Sequence, residues 1–177
     1  MAAFDFKSLI VDIPDYPEPG VVFKDITPLL KDPDGFAAVI DALADRFADR
    51  GITKVVGSEA RGFMVGAPVA YRLHAGFVPA RKPGKLPRET FAQSYELEYG
   101  SDALEIHTDA LGPGDVVLMI DDLAATGGTA AATARLIERS GAKIAGFGFL
   151  LELGLLNPRA MLAKACDAEV FSLVRVE

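Results

Sequence analysis

The apolar positions Phe36, Val39, Ile40, Leu43 and Phe47 fall at i, i+3, i+4, i+7 and i+11, which is one face of a helix. That spacing predicts a helix over 35–50, with Asp34 as its N-cap and Gly51 as its C-terminal stop. The pattern then changes period. A short strand over 54–57, apolar at its centre, is followed by a helix over 62–73 and a second strand over 76–80. Residues 115–120 carry the clearest strand: VVLMI is a continuous apolar run bounded by turn signals, as expected of a strand covered on both faces. A helix over 128–140, a buried strand over 143–151, a short helix starting at Pro158 and a last strand over 169–174 complete the reading. Strands alternating with helices predict an α/β fold, a mainly parallel twisted sheet flanked by helices.

Two stretches do not follow this rhythm. Residues up to about 31 carry Pro14, Pro17, Pro19 and Pro28 and read as an extended cover segment. Residues 81–93 are polar and hold glycine and proline, and 94–107 alternate only partly, which fits either a hairpin or a mobile flap. No internal repeat, low-complexity tract or linker divides the chain, and 177 residues suit one domain.

Composition removes several function classes. The net charge of −7 does not favour a nucleic-acid partner, which needs clustered Lys and Arg. Arg81, Lys82, Lys85 and Arg88 nevertheless sit together, and a basic loop on an acidic body points to a small, highly charged anion. The longest apolar runs, such as 144–151, fall short of the ~20 residues a membrane helix needs, and the first residues do not read as a signal peptide. The single cysteine, Cys166, rules out an intrachain disulfide, and His74 and His107 lack ligand-spaced neighbours for zinc. These features predict a cytoplasmic protein.

The informative segment is Val116 to Thr129, VVLMIDDLAATGGT. A buried strand delivers two carboxylates, Asp121 and Asp122, to its carboxyl end, where ligands of open α/β sheets bind. Adjacent acids can accept hydrogen bonds from the vicinal hydroxyls of a ribose. The turn Thr126-Gly127-Gly128-Thr129 can gather backbone N–H groups at a helix N-terminus, which favours a phosphate. A bare Asp-Asp or Gly-Gly is more often a solvated turn; the ordered string after a buried strand reverses that preference. The pattern G-x-x-x-x-G-K-[ST] of a nucleoside-triphosphate loop is absent, and Gly146-Phe147-Gly148 does not complete a dinucleotide fingerprint.

This string resembles the phosphoribosyl pyrophosphate (PRPP) signature of the type I phosphoribosyltransferases. The likeness extends to PGVVFKDITPLLKDP over 19–33, GSEARGFMVGAPVA over 57–70 and RKPGKLPRETFAQSYELEYG over 81–100, which look like the family's adenine-specific branch in the same order. It covers about residues 11–155. Ala124 departs from the bulkier residue often found there, and the last twenty residues are only loosely family-like, so no function is placed on them.

The resemblance implies a Rossmann-like core, an N-terminal hood over 1–33, a flexible flap over 82–105, and transfer of ribose 5-phosphate from PRPP to adenine, giving AMP and pyrophosphate. It implies that Asp121 and Asp122 bind ribose hydroxyls and that Ala125, Thr126, Gly127, Gly128 and Thr129 cradle the 5-phosphate. Glu59, Ala60 and Arg61 look like the pyrophosphate loop, and a guanidinium fork suits phosphate oxygens. Arg81, Lys82 and Lys85 are expected on the same pyrophosphate. Glu98 is the candidate general base, with Tyr99 closing over the site; the alternative is that Glu98 is a plain strand residue and the proton leaves to water or phosphate. Val22 and Phe23 are expected to read and stack on adenine, with Leu153 as an opposing wall, although core packing is the commoner role for such residues alone. Mg²⁺ is expected to be held mainly by the substrate, with no direct protein ligands, and the family implies a homodimer.

Overall fold

A computed structural model describes residues 4–96 and 101–177. In chain order it forms β1 (Val11–Pro14), β2 (Val22–Asp25), α1 (Thr27–Lys31), α2 (Pro33–Phe47), β3 (Lys54–Ser58), α3 (Arg61–Arg72), β4 (Gly76–Ala80), β5 (Thr90–Glu96), β6 (Ser101–His107), β7 (Val116–Ala124), α4 (Gly128–Arg139), β8 (Lys143–Leu153), α5 (Pro158–Ala165) and β9 (Glu169–Val176). The main sheet has the order β4-β3-β7-β8-β9, and every neighbouring pair in it is parallel.

The run VVLMI is apolar throughout because β7 is buried from both sides. Val117 and Met119 pack with Ala130, Ala134 and Ile137 of α4 and with Leu104 and Ile106 of β6. Leu118 and Ile120 pack with Val39, Leu43 and Phe47 of α2 and Val65 and Val69 of α3. The period of two along the strand therefore feeds two separate cores.

The direction of the crossovers fixes where a site can form. From β3 the chain moves outward to β4 through α3; from β7 it moves the other way to β8 through α4. The strand order thus reverses between β3 and β7, and a crevice opens outside their carboxyl ends.

Several elements differ in detail from the sequence pattern. Asp32, not Asp34, caps α2: its Oδ1 accepts the Gly35 N–H at 2.7 Å. Pro33 explains the shift of two residues, since its fixed φ suits the first helical position and makes Asp32, just before it, the cap. The helix ends at Phe47, and a 3-10 turn over Ala48–Arg50 carries the chain to Gly51, whose φ of +64° makes it the stop expected of it. The cover segment is not extended throughout. It holds a 3-10 turn (Phe6–Leu9), the antiparallel β1–β2 hairpin, and α1 with Pro28 in its first turn. Residues 90–96 and 101–107 pair as the two antiparallel strands of a hairpin, Thr90 opposite His107 and Tyr95 opposite Asp102. Finally, β7 does not stop at Ile120. Pairing of Asp121 with Phe149, Leu123 with Leu151 and Ala124 with Glu152 carries it past both acids.

Candidate active site

The extension of β7 changes the character of the acid pair. An exposed strand end is the natural expectation for two aspartates, yet Asp121 is 8% exposed and Asp122 5%. Asp121 Oδ1 accepts the backbone N–H of Asp122 at 2.9 Å, and Asp122 Oδ2 lies 2.8 Å from Arg61 Nε. Burial, and secondly the charge of Asp122, push the Asp121 carboxyl well above the usual carboxylate range. Burial also raises Asp122, with the Arg61 guanidinium opposing. Gly62 is needed here, because a Cβ at that position would stand 2.8 Å from Asp121 Oδ1. Its absence lets the first turn of α3 lie against the acids.

The glycine turn, which can act as an anion nest, follows directly. Gly127 sits at φ +87°, ψ 0°, a left-handed conformation that L side chains rarely adopt, and hands the chain to α4. The first N–H groups of α4 have no intrahelical acceptor, and Gly128, Thr129 and Ala130 line the cleft with Thr126. A Cβ on Gly127 would meet the Pro158 carbonyl oxygen at 2.8 Å and Met161 Cβ at 3.2 Å. The start of α5 therefore abuts the nest, a contact that no sequence signal announced.

These parts line one cleft of about 280 Å³, together with Glu59, Ala60, Arg61, Lys82 and Ala125. The Glu59–Ala60 peptide, between β3 and α3, is cis. Glu59 Oε2 accepts from Arg81 Nε at 2.7 Å, so Arg81 reaches the cleft edge through that carboxylate. Lys82 Nζ lies 2.9 Å from Asp102 Oδ2. The hydrogen bond between them raises the Lys82 ammonium and lowers the Asp102 carboxyl from their ordinary ranges. Lys85 is exposed and does not line the cleft; its carbonyl accepts from Arg81 Nη1 at 3.4 Å. Arg88 is turned to Asp109. Tyr95, Asp102 and Leu104 also line the cleft and were not singled out by sequence. Only the hairpin register brings Tyr95 and Asp102 together.

The residues expected to hold a base fall elsewhere. Val22 and Leu153 share a second cavity of about 460 Å³ with Gly20, Lys24, Leu155 and Leu156. Phe23, the next residue along β2, lies off that cavity with its ring edge-on to Tyr16 at 5.3 Å between centroids. Glu98 and Tyr99 lie outside the described residues. Among the described residues no group of three or more His, Cys, Asp or Glu side chains is placed to hold a metal ion. No helix of the described chain is long and apolar enough to cross a membrane.

A cleft with buried acids, an N-terminal helix nest and a guanidinium can hold a sugar hydroxyl pair between two phosphate groups. Comparison with known proteins agrees. The phosphoribosyl transferase domain model matches residues 25–174. The chain is 55% identical over 175 residues to the adenine phosphoribosyltransferase of Desulfitobacterium hafniense (strain Y51), covering 99% of both. Among solved structures, the adenine phosphoribosyltransferase of Rhodothermus marinus is 50% identical with a TM-score of 0.89, over 97% of this chain and 96% of that one. The Giardia lamblia enzyme, complexed with 9-deazaadenine, is 39% identical with a TM-score of 0.93, over 100% and 99%.

Proposed function

We propose the following division of labour on one premise: the chain belongs to the adenine phosphoribosyltransferase family, and it salvages adenine by joining it to PRPP, giving AMP and pyrophosphate. The observation that carries the residue roles is the meeting of Asp121, Asp122, Arg61 and the Gly127 nest in one cleft at the strand-order reversal. Asp121 and Asp122 take the ribose hydroxyls, and Ala125 to Thr129 hold the 5-phosphate on the α4 N-terminus. Glu59, Ala60, Arg61 and Lys82 receive the pyrophosphate, with Arg81 held at the cleft edge by Glu59 and Lys85 joining only if its loop turns inward.

As the bond from C1 to pyrophosphate lengthens, the sugar gains oxocarbenium character, and the cations stabilise the charge building on the leaving group. The nest and the acids hold C1 in line for adenine N9. Adenine sits between the hood and β8, with Val22 backbone groups reading its edge and Leu153 as the wall, and Phe23 would turn from Tyr16 to stack on it. Glu98 accepts the proton that N9 must lose, and Tyr99 closes over the site. General-base help of this kind is worth ~10²–10⁴-fold. We read 82–105 as a flap that excludes water from the sugar cation. Mg²⁺ would be held mainly by substrate oxygens beside Asp121 and Asp122, where it would neutralise charge on the pyrophosphate. The enzyme works in the cytoplasm as a homodimer, which sedimentation tests: an 18.8 kDa species alone at micromolar concentration would contradict it.

Substrate choice is the first test. Adenine should be used at least ~100-fold better, in kcat/KM, than hypoxanthine, guanine or orotate, because unpaired buried polar groups penalise a wrong base. Comparable turnover of guanine would defeat the assignment of the base site. Glu98→Gln should lower kcat by about 10²-fold or more while leaving the KM for PRPP nearly unchanged. Undiminished single-turnover chemistry in that variant would remove Glu98 as the base.

A further inference from the structure

The cleft contains one acid that the roles above do not use. Asp102 stands on β6 opposite Tyr95 of β5, and both line the cleft with Lys82 and the phosphate nest. Its carboxylate is engaged on every side. Oδ2 meets Lys82 Nζ at 2.9 Å and accepts the Tyr95 hydroxyl at 3.4 Å, while Oδ1 accepts the Ala103 N–H at 2.8 Å. The Tyr95 hydroxyl lies beside Thr129, at the start of α4. One carboxylate therefore ties the lysine after β4 to both strands of the hairpin, next to the nest.

Lys82 needs such a tie. Its side chain is 54% exposed, on a loop that holds Pro83 and Gly84, and a lysine there is free to sample many rotamers. A carboxylate occupies one of the three ammonium donors and leaves the others available. We infer that Asp102 is a positioning residue: it holds Lys82 at the cleft wall, so that a diphosphate meets an ammonium already in place. The inference rests on reading this cleft as the PRPP site. The carboxylate also subtracts positive charge next to the incoming anion. That effect is weakened by solvent at a half-exposed pair, whereas the ordering of a long side chain is a full gain to binding.

The experiment is a double-mutant cycle on the full-length enzyme, with Asp102→Asn, Lys82→Met and the double variant, read as kcat and as KM for PRPP and for adenine. Asp102→Asn is expected to raise the KM for PRPP about fivefold, with kcat and the KM for adenine within about twofold of wild type. In the Lys82→Met background the same change should add nothing. An unchanged or lowered KM for PRPP in Asp102→Asn overturns the inference. So does an equal rise in the Lys82→Met background, which would mark Asp102 as a structural support of the hairpin. If Lys82→Met alone leaves the KM for PRPP untouched, Lys82 does not meet the diphosphate, and that part of the cleft reading fails along with the inference. Should Asp102→Asn not fold, Asp102→Glu carries the same cycle with an expected rise of about threefold.

Discussion

Two buried carboxylate sites stand at the carboxyl ends of neighbouring strands, and they are built to opposite plans. On β8, Glu152 is 1% exposed and fully partnered. Arg159 donates to both of its oxygens at 2.8 Å, Ser172 Oγ donates at 2.7 Å, and Arg159 also binds the Val170 carbonyl. The Arg159 bond holds the Glu152 carboxyl below its ordinary range. On β7, Asp121 and Asp122 are nearly as buried, yet their only cationic partner among the described residues is Arg61, itself 47% exposed. Their carboxyls are pushed up by burial. A carboxylate whose partners come from the protein stabilises the fold. One left short of partners destabilises it, and such a group persists where a ligand completes the set.

The largest expected effect comes from breaking the satisfied site. Glu152→Gln leaves the half-exposed Arg159 guanidinium facing a buried neutral amide, and should cost about 2 kcal/mol, or roughly 4–8 °C in Tm for a chain of this size. A Tm loss under 2 °C would show that the pair adds little. Because α5 carries Arg159 and abuts Gly127, a rise in the KM for PRPP is expected alongside the lost stability.

Asp121→Asn and Asp122→Asn should behave in reverse. Each should lower kcat/KM by roughly 10–100-fold, the loss of a hydrogen bond to a charged group, while Tm at neutral pH stays level or rises. Wild-type kcat/KM in both variants would refute the ribose assignment.

The pH dependence separates the two sites further. Asp121 is raised on folding, so it binds more protons folded than unfolded. Its contribution is a penalty that exists above its unfolded pKa and fades as pH falls. Glu152 is lowered, so its contribution is a gain present above its unfolded pKa and lost as pH falls through the folded value. The Tm differences of Asp121→Asn and Glu152→Gln from wild type should therefore have opposite signs at pH 7; the first should fade as pH falls toward about 4 and be gone below it, and the second should fade only below about pH 4. Differences that stay constant with pH would show that charge is not their origin. The smallest effect belongs to Ser172→Ala, which removes one hydrogen bond from Glu152 and should cost about 1 kcal/mol with kcat unchanged. No change in Tm would place that bond among the dispensable ones.

The same contrast marks how far the chain could be read. Asp121, Asp122 and the nest through Thr129 were legible because the whole unit is contiguous, strand then acids then turn then helix. The sheet was legible because VVLMI has nowhere to lie but between two cores. The length of β7 was not, since charges at 121 and 122 break the apolar run while pairing with β8 continues past them. Glu152 carries no pattern that marks it, and Arg159 and Ser172 fall in the last twenty residues, on which the sequence placed no function.

The order of apolar and polar residues by itself determined the alternation of strands and helices, the strand that must be buried, and the segment that sets two acids and a glycine turn side by side. Those properties depend on neighbours in sequence, through backbone period and local turn chemistry. The tertiary structure alone decided which acids would be satisfied. Lys82 finds Asp102, Arg61 finds Asp122 and Arg159 finds Glu152 across intervals of chain that carry no periodic signal. A carboxylate's role here depends on what the fold brings within about 3 Å of it, and that distance is set by strand register and helix docking.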